Sequence, residues 1–94
     1  MATEPATRQG TIVNDLGLHT RSATMLVKLA NTFSSEIMVS VNGLSANAKS
    51  IMGLLALGAR KGSLVSIEAR GADQDQAAAA IQKLIEQGFQ EETH

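Results

Sequence analysis

The segment Glu36–Lys49 reads EIMVSVNGLSANAK, and it contains two alternating apolar runs on either side of Asn42-Gly43. Asn-Gly is the preferred pair of a two-residue type I′ turn, because both of its residues need a positive φ. A hairpin closed at this turn places three apolar pairs on one face: Val41 with Leu44, Val39 with Ala46, and Ile37 with Ala48. The segment therefore predicts an antiparallel hairpin with one buried face.

Three helices and two further strands are predicted around this hairpin from apolar periodicity and capping signals. The helices are predicted at Thr20–Phe33, at Lys49–Gly58 and from Asp73 to about Gly88, and the strands at Gln9–Val13 and Leu64–Arg70. Ser50 suits the N-cap of the short helix, and Gly58 suits the position after its C-cap. Asp73 followed by Gln76 resembles a capping box at the start of the last helix.

The resulting order, β-α-β-β-α-β-α, predicts the α+β fold class. An open-faced β-sandwich fits the pattern, with a four-stranded antiparallel sheet that carries three helices on one face. The 94 residues suit a single domain over residues 1–94. Residues 1–7 contain the only proline, Pro5, and are predicted to form a loose N-terminal tail.

Composition limits the classes of function. A net charge of −1 and only two aromatic residues give no basis for nucleic-acid binding. The chain has no cysteine, and its two histidines, His19 and the terminal His94, are too far apart in sequence for a metal-ligand motif. No apolar run approaches the ~20 residues of a membrane span. We expect a cytoplasmic protein with no metal, cofactor or membrane partner, in which His94 is inert.

The segment Asn14–Ala23 reads NDLGLHTRSA and joins a turn signal to a helix start. His19 precedes the first helical turn, where backbone N–H groups lack intrahelical partners and attract anions. Arg21 lies within that turn, where a cation opposes the helix dipole unless an anion such as phosphate is bound. The residues alone leave two interpretations open: a solvated or capping histidine beside a surface arginine, or an anion site with a nucleophilic imidazole.

Other catalytic arrangements find no support in the sequence. There is no nucleophile elbow and no Gly-rich nucleotide loop. The acidic pairs Glu91-Glu92 and Asp73/Asp75 are predicted to be a solvated tail and a helix start. The short helix after Ser50 is apolar nearly all round, which indicates either an exposed patch for a partner or extra burial under loops. What remains is a covalent group carried on one histidine, or simple binding.

Two motifs in the chain resemble the signatures of one family. Gly17–Ala23, GLHTRSA, resembles the active-site signature Gly-Leu-His-Ala/Thr-Arg-Pro-Ala of the histidine-containing phosphocarrier proteins (HPr) of the bacterial phosphoenolpyruvate-dependent phosphotransferase system (PTS). Lys49–Gly53, KSIMG, resembles their second signature, around a regulatory serine. The similarity runs from about Arg8 to Phe89 with the same element order.

The resemblance implies that the chain is a phosphoryl carrier and not an enzyme. His19 is then expected to accept a phosphoryl group on Nδ1 from enzyme I and to pass it to an EIIA-type acceptor. The phosphate ligands implied are Thr20, Arg21 and Ser22, through the arginine and the first helical amides. A sheet order of 1-4-2-3 and a monomeric carrier without a cofactor follow from the same resemblance.

The second motif implies regulation and docking. Ser50 resembles the serine that HPr kinase/phosphorylase modifies in members with this regulation, and Thr20, Ile51, Met52 and Leu55 match the family's docking surface. Since a phosphate on Ser50 would lie at a helix start, we expect it to weaken partner binding without unfolding the domain.

One departure from the family pattern concerns Ser22, which stands where the family usually has proline. The serine restores an N–H and adds a hydroxyl near the expected phosphate.

The ending Leu84–Glu92 is similar to that of the nitrogen-branch relatives, which favours a regulatory system over sugar uptake. Two alternatives are a regulatory module that acts by contact alone through the Ser50 helix, and a small hydrolase or mutase that uses His19.

Overall fold

The computed structural model describes residues 4–91. Its elements follow the predicted order: β1 (Ala6–Thr11), α1 (Thr20–Ala30), β2 (Glu36–Val41), β3 (Leu44–Asn47), α2 (Ile51–Ala56), β4 (Leu64–Arg70) and α3 (Gln74–Glu86). A 3₁₀ turn at Gly88–Gln90 ends the described chain. Among residues 4–91, every helix is too short or too polar to cross a membrane.

The sheet has four strands in the order β1-β4-β2-β3, and all neighbouring strands are antiparallel. The hairpin has the predicted register, with Val39 opposite Ala46, and Asn42 and Gly43 at φ values of 52° and 83°. Leu44 pairs with Val41 as predicted but remains 56% exposed, because it lies on an edge strand beside the turn. The open-faced α+β architecture and its sheet order are confirmed.

Alternation of buried and exposed residues defines the face of the sheet that the helices cover. In β4, the side chains of Val65, Ile67 and Ala69 are buried, and the residues between them are exposed. Buried residues of α1 and α3, such as Leu26 and Ile81, complete the core. Complete burial of each such branched side chain contributes roughly 1.5–3 kcal/mol. The opposite face of the sheet is exposed and mostly polar, with Met38 and Leu64 as its large apolar residues in β2 and β4.

The N-terminal strand begins and ends earlier than predicted, at Ala6 instead of Gln9 and at Thr11 instead of Val13. Ala6 and Thr7, assigned to the loose tail from the sequence, pair in β1 with Ala69 and Glu68 of β4. The sequence signal was weak because β1 is polar apart from its first residue, so pairing with β4 decides its conformation. Residues 1–3 of the predicted tail lie outside the described part of the chain.

The end of α1 and the start of α3 also differ from the predictions. Helix α1 stops at Ala30, three residues before the predicted Phe33. The proposed capping box at Asp73 is wrong, because the carboxylate does not cap its own helix. It accepts hydrogen bonds from the N–H groups of Ser34 and Ser35, at 2.9 and 3.0 Å, and from the Ser35 hydroxyl at 2.5 Å. Asp73 therefore joins α3 to the loop before β2.

Candidate functional site

A tight turn presents the histidine. The Gly17 N–H donates to the Asn14 carbonyl at 3.2 Å, and Nδ2 of Asn14 donates to the Gly17 carbonyl at 2.8 Å. Gly17 has a φ of +64°, and a Cβ on it would lie 2.5 Å from the Ala59 carbonyl oxygen. Since the turn packs directly on the loop before β4, only glycine fits there. The turn fixes the path of the chain into α1.

His19 is the N-cap residue of α1, in the extended conformation expected for that position. Its N–H donates to Oγ of Ser22 at 2.9 Å, and the Ser22 hydroxyl donates to the Gly17 carbonyl at 3.0 Å. The Ser22 side chain is 0% exposed. The hydroxyl is therefore not free to bind phosphate, and the phosphate contact of Ser22 stays a prediction for its backbone N–H. The hydroxyl instead fastens the turn to the helix.

A carboxylate from the far end of the chain contacts the imidazole. Nε2 of His19 lies 2.5 Å from Oε1 of Glu91, and Oε2 of Glu91 accepts a hydrogen bond from Nδ2 of Asn14 at 3.1 Å. The His19 side chain is 30% exposed and that of Glu91 is 14% exposed. Because an anionic acceptor favours a proton on the nitrogen it faces, this contact places the proton on Nε2 and the lone pair on Nδ1.

The 3₁₀ turn after α3 brings Glu91 to this position. Phe89 and Gln90 have positive φ values of 56° and 60°, and the Phe89 side chain is 1% exposed. A buried aromatic ring thus anchors the segment that reverses the chain toward α1. The prediction that Glu91 belongs to a solvated tail is wrong. The sequence signal that could have indicated this was Gly88-Phe89, a helix-ending glycine followed by a large apolar residue.

The site is an open depression lined by Leu16, His19, Arg21, Gln90 and Glu91. Arg21 is exposed at its rim, where its charge can meet an anion arriving at the helix start. The hydrogen bonds from His19 and, to a lesser extent, from Asn14 hold the pKa of the Glu91 carboxyl below its ordinary value, against the opposing effect of burial. The carboxylate is therefore charged at neutral pH and faces the ring as an anion.

Comparison with known proteins connects this geometry to a family. The family model described as the PTS HPr component phosphorylation site matches residues 6–87. The phosphocarrier protein HPr of Cupriavidus necator is 44% identical over 84 residues, which cover 89% of this chain and 94% of that relative. The chain belongs to the HPr family.

Solved HPr structures share the fold. HPr-C-His from Thermoanaerobacter tengcongensis superposes with a TM-score of 0.88 at 41% identity, and the match covers 94% of this chain and 99% of that one. An HPr dimer from the same organism matches with a TM-score of 0.71 at 44% identity, over 78% of this chain and 84% of that one. The predicted family is confirmed, and the chain is a member of the HPr phosphocarrier proteins of the phosphotransferase system.

The second HPr motif lies on α2. Oγ of Ser50, the N-cap residue, accepts a hydrogen bond from the Gly53 N–H at 3.1 Å, as its predicted capping role requires. Leu54 is buried at 0% exposure, whereas Met52 and Ile51 are 79% and 37% exposed. Of the two interpretations of this helix, the structure favours an exposed apolar patch.

The remaining predicted docking residues lie on both helices. Thr20 is exposed in the first turn of α1, and Leu55 is half-buried on α2, which packs against α1. The structure thus brings His19 and Arg21 together as predicted. The structure also places Glu91 and Asn14 at the site. From the sequence, Glu91 was predicted to lie in a solvated tail and Asn14 only to form part of a turn.

Proposed function

We propose that this HPr-family protein carries a phosphoryl group on Nδ1 of His19, from phospho-enzyme I to an EIIA-type acceptor in the cytoplasm. The observation that carries the proposal is the contact of Glu91 with Nε2 of His19. Because that contact places the ring proton on Nε2, the lone pair of Nδ1 remains as the nucleophile.

The proposed transfer needs no change of protonation. As the Nδ1–P bond forms, the bond between phosphorus and the donor breaks, and the ring gains positive charge while Nε2 keeps its proton. The Glu91 carboxylate faces that charge and stabilises it. In the outward step the Nδ1–P bond breaks, its electron pair returns to Nδ1, and the neutral ring is restored.

The phosphate is proposed to bind to Arg21 and to the N–H groups of the first turn of α1, those of Thr20, Arg21 and Ser22, of which the Ser22 N–H also faces the His19 side chain in a capping box. Such groups have no intrahelical acceptor and point out of the helix start. The His19 N–H is not among them, since it donates to Ser22. A guanidinium and several amides offset the negative charge of the phosphoryl group without a metal ion.

Docking and regulation are proposed for the patch on α2. Met52 and Ile51 present apolar surface that Thr20 and Leu55 extend toward α1, and such a patch suits transient contact with enzyme I or the acceptor. We further propose that the protein is a monomer of the nitrogen-branch type, for which the similarity of its ending to those relatives is the support.

Phosphorylation of Ser50 is proposed to act on docking. Its Oγ already caps α2, so a phosphate there would meet the free N–H groups of the helix start and leave the fold intact. We expect Ser50→Asp to lower the affinity for enzyme I severalfold at an unchanged melting temperature. Titration calorimetry and a thermal melt check this, and a collapsed fold with intact binding would contradict it.

A regulatory module that acts by contact alone is the alternative, and the exposed α2 patch is compatible with it. Such a module has no need of an imidazole held by a carboxylate beside a free arginine. One experiment separates the two functions. Incubation with phosphoenolpyruvate and enzyme I should add one acid-labile phosphoryl group to the intact mass.

His19→Ala should abolish that mass gain. His94→Ala is the matched control, because it removes the other histidine of the chain and should leave the gain unchanged. A wild-type protein that gains no mass, or an unchanged gain in His19→Ala, would favour the contact module or another phosphorylated residue.

A further inference from the structure

The buried side chain of Asn14 is the least expected feature of the site. It is 0% exposed, and its Nδ2 group donates two hydrogen bonds, to the Gly17 carbonyl and to Oε2 of Glu91. Its Oδ1 is buried and has no hydrogen-bond partner among the described residues. A buried acceptor without a partner destabilises a fold, so an amide in this place needs a reason.

The orientation of the amide is forced. Rotating it by half a turn would set Oδ1 against the oxygens of Gly17 and Glu91, which are both acceptors, and would leave the two Nδ2 hydrogens unpaired. The observed orientation instead aims one hydrogen at each oxygen. Oδ1 is thus left unpaired because Nδ2 donates both of its hydrogens, one of them to Glu91.

We propose that Asn14 is a positioning residue for phosphoryl transfer, which acts on His19 through Glu91. The inference rests on the proposed carrier function. Asn14 holds one carboxylate oxygen of Glu91, and the other oxygen meets Nε2 of His19. Without that second bond, the carboxylate could turn away from the ring and the proton would distribute over both ring nitrogens.

Geometry explains why a second bond is needed. Glu91 follows a single 3₁₀ turn, in which its N–H donates to the Gly88 carbonyl at 3.0 Å, and its side chain needs contacts of its own to be held in place. Asn14 belongs to the same turn as Gly17, which also sets the entry of the chain into α1. Through its hydrogen bond to Glu91, Asn14 fixes the position of the carboxylate relative to the turn, and therefore relative to the imidazole that follows the turn. The tautomer with its lone pair on Nδ1 is then held both before and after each transfer.

The test measures the tautomer of the His19 ring and the rate of phosphoryl transfer separately. ¹⁵N NMR of the His19 imidazole reports its tautomer, and the rate of phosphorylation by phospho-enzyme I reports transfer. In Asn14→Ala we expect the ring to populate both tautomers and the transfer rate to fall on the order of tenfold, less than the roughly hundredfold loss that a 1 Å misplacement of a catalytic group can cause. Asn14→Ser, which stays polar but is too short to reach Glu91, should do the same and is the second variant should Asn14→Ala fail to fold.

Two further variants distinguish positioning from stability. In Glu91→Gln the Asn14→Ala change should have little additional effect on the rate, because both act through one contact. Ser35→Ala removes another side chain that is 0% exposed and polar, so it is the matched control: it should lower the melting temperature and leave the His19 tautomer and the rate unchanged.

An unchanged tautomer and rate in both Asn14 variants, with only a lower melting temperature, would overturn the proposal. So would fully additive effects of Asn14→Ala and Glu91→Gln. If wild-type protein accepts no phosphoryl group, the carrier function itself fails and with it the role of Asn14 in transfer. The NMR comparison then decides whether Asn14 orients the ring at all.

Discussion

Helix α1 is bounded at both ends by a carboxylate from a later part of the chain, and the two junctions behave differently. At its start, Glu91 accepts hydrogen bonds from the His19 ring and the Asn14 amide. After its end, Asp73 accepts hydrogen bonds from two backbone N–H groups and the Ser35 hydroxyl. Each carboxyl has a lowered pKa, and a hydrogen bond is the largest cause in each case.

The difference lies in the partners. The donors at Asp73 are amides and a hydroxyl that do not change charge near neutral pH, so that junction can only hold the fold together. The principal partner of Glu91 is an imidazole whose second nitrogen remains for chemistry. The same kind of contact thus contributes stability at one end of α1 and, in our proposal, sets the reactive nitrogen at the other.

The largest expected effect is that of Glu91→Gln on the rate of phosphoryl transfer. Glu91→Gln removes the negative charge that faces Nε2, so the positive charge of the phosphorylated ring is less stabilised. We expect the rate of phosphorylation by phospho-enzyme I to fall about tenfold, which corresponds to about 1.4 kcal/mol of transition-state stabilisation. Stopped-flow or quench-flow transfer assays measure this. A rate equal to that of the wild-type protein would remove Glu91 from the mechanism.

The opposite pattern is expected for Asp73→Asn. This change leaves one oxygen for three donors and places an amide against one of them, so the melting temperature should fall. The transfer rate should remain that of the wild-type protein, because the junction lies at the other end of α1. A thermal melt and the same transfer assay check the pair. A slower transfer in Asp73→Asn would mean that the two junctions are coupled through the helix.

The smallest expected effect is the loss, in acid, of the stability that the Asp73 carboxylate contributes. The pKa of the Asp73 carboxyl lies below its ordinary value of 3.8 in the folded protein, so its contribution is fully present above that value. It is lost as the pH falls through the lower folded pKa. Melting temperatures of wild type and Asp73→Asn, measured from pH 6 downward, should converge in acid. A difference that stays constant below pH 3.8 would contradict the contribution of the charged form.

Much of the fold could be predicted because its signals are local. The alternation of Ile37, Val39 and Val41 and the turn at Asn42-Gly43 specify a hairpin within a few residues. The motif around His19 likewise places the histidine at a helix start. The polar strand β1 was predicted three residues late at its start and two residues late at its end, because its conformation depends on pairing with β4, about 60 residues away, for which it carries no periodic signal of its own.

The candidate site was predicted in part. His19 and Arg21 lie within three residues of each other at one helix start, so local sequence was enough to place both. Glu91 was assigned to a tail, since an acidic residue near a chain end is ordinarily solvated. The Ser22 hydroxyl was expected near the phosphate, and its hydrogen bonds commit it to the turn. The partners of both side chains are ones that the local pattern does not specify.

The sequence by itself determined the element order, the hairpin register and the position of His19 before α1, because turn chemistry and apolar periodicity act between near neighbours. Only the tertiary structure decided which groups surround the imidazole. Glu91 meets His19 across 72 residues and Asn14 across 77 residues. Such contacts form because the buried Phe89 anchors the segment before Glu91 and Gly88 lies beside Asn14, and which side chains then meet depends on packing between distant parts of the chain.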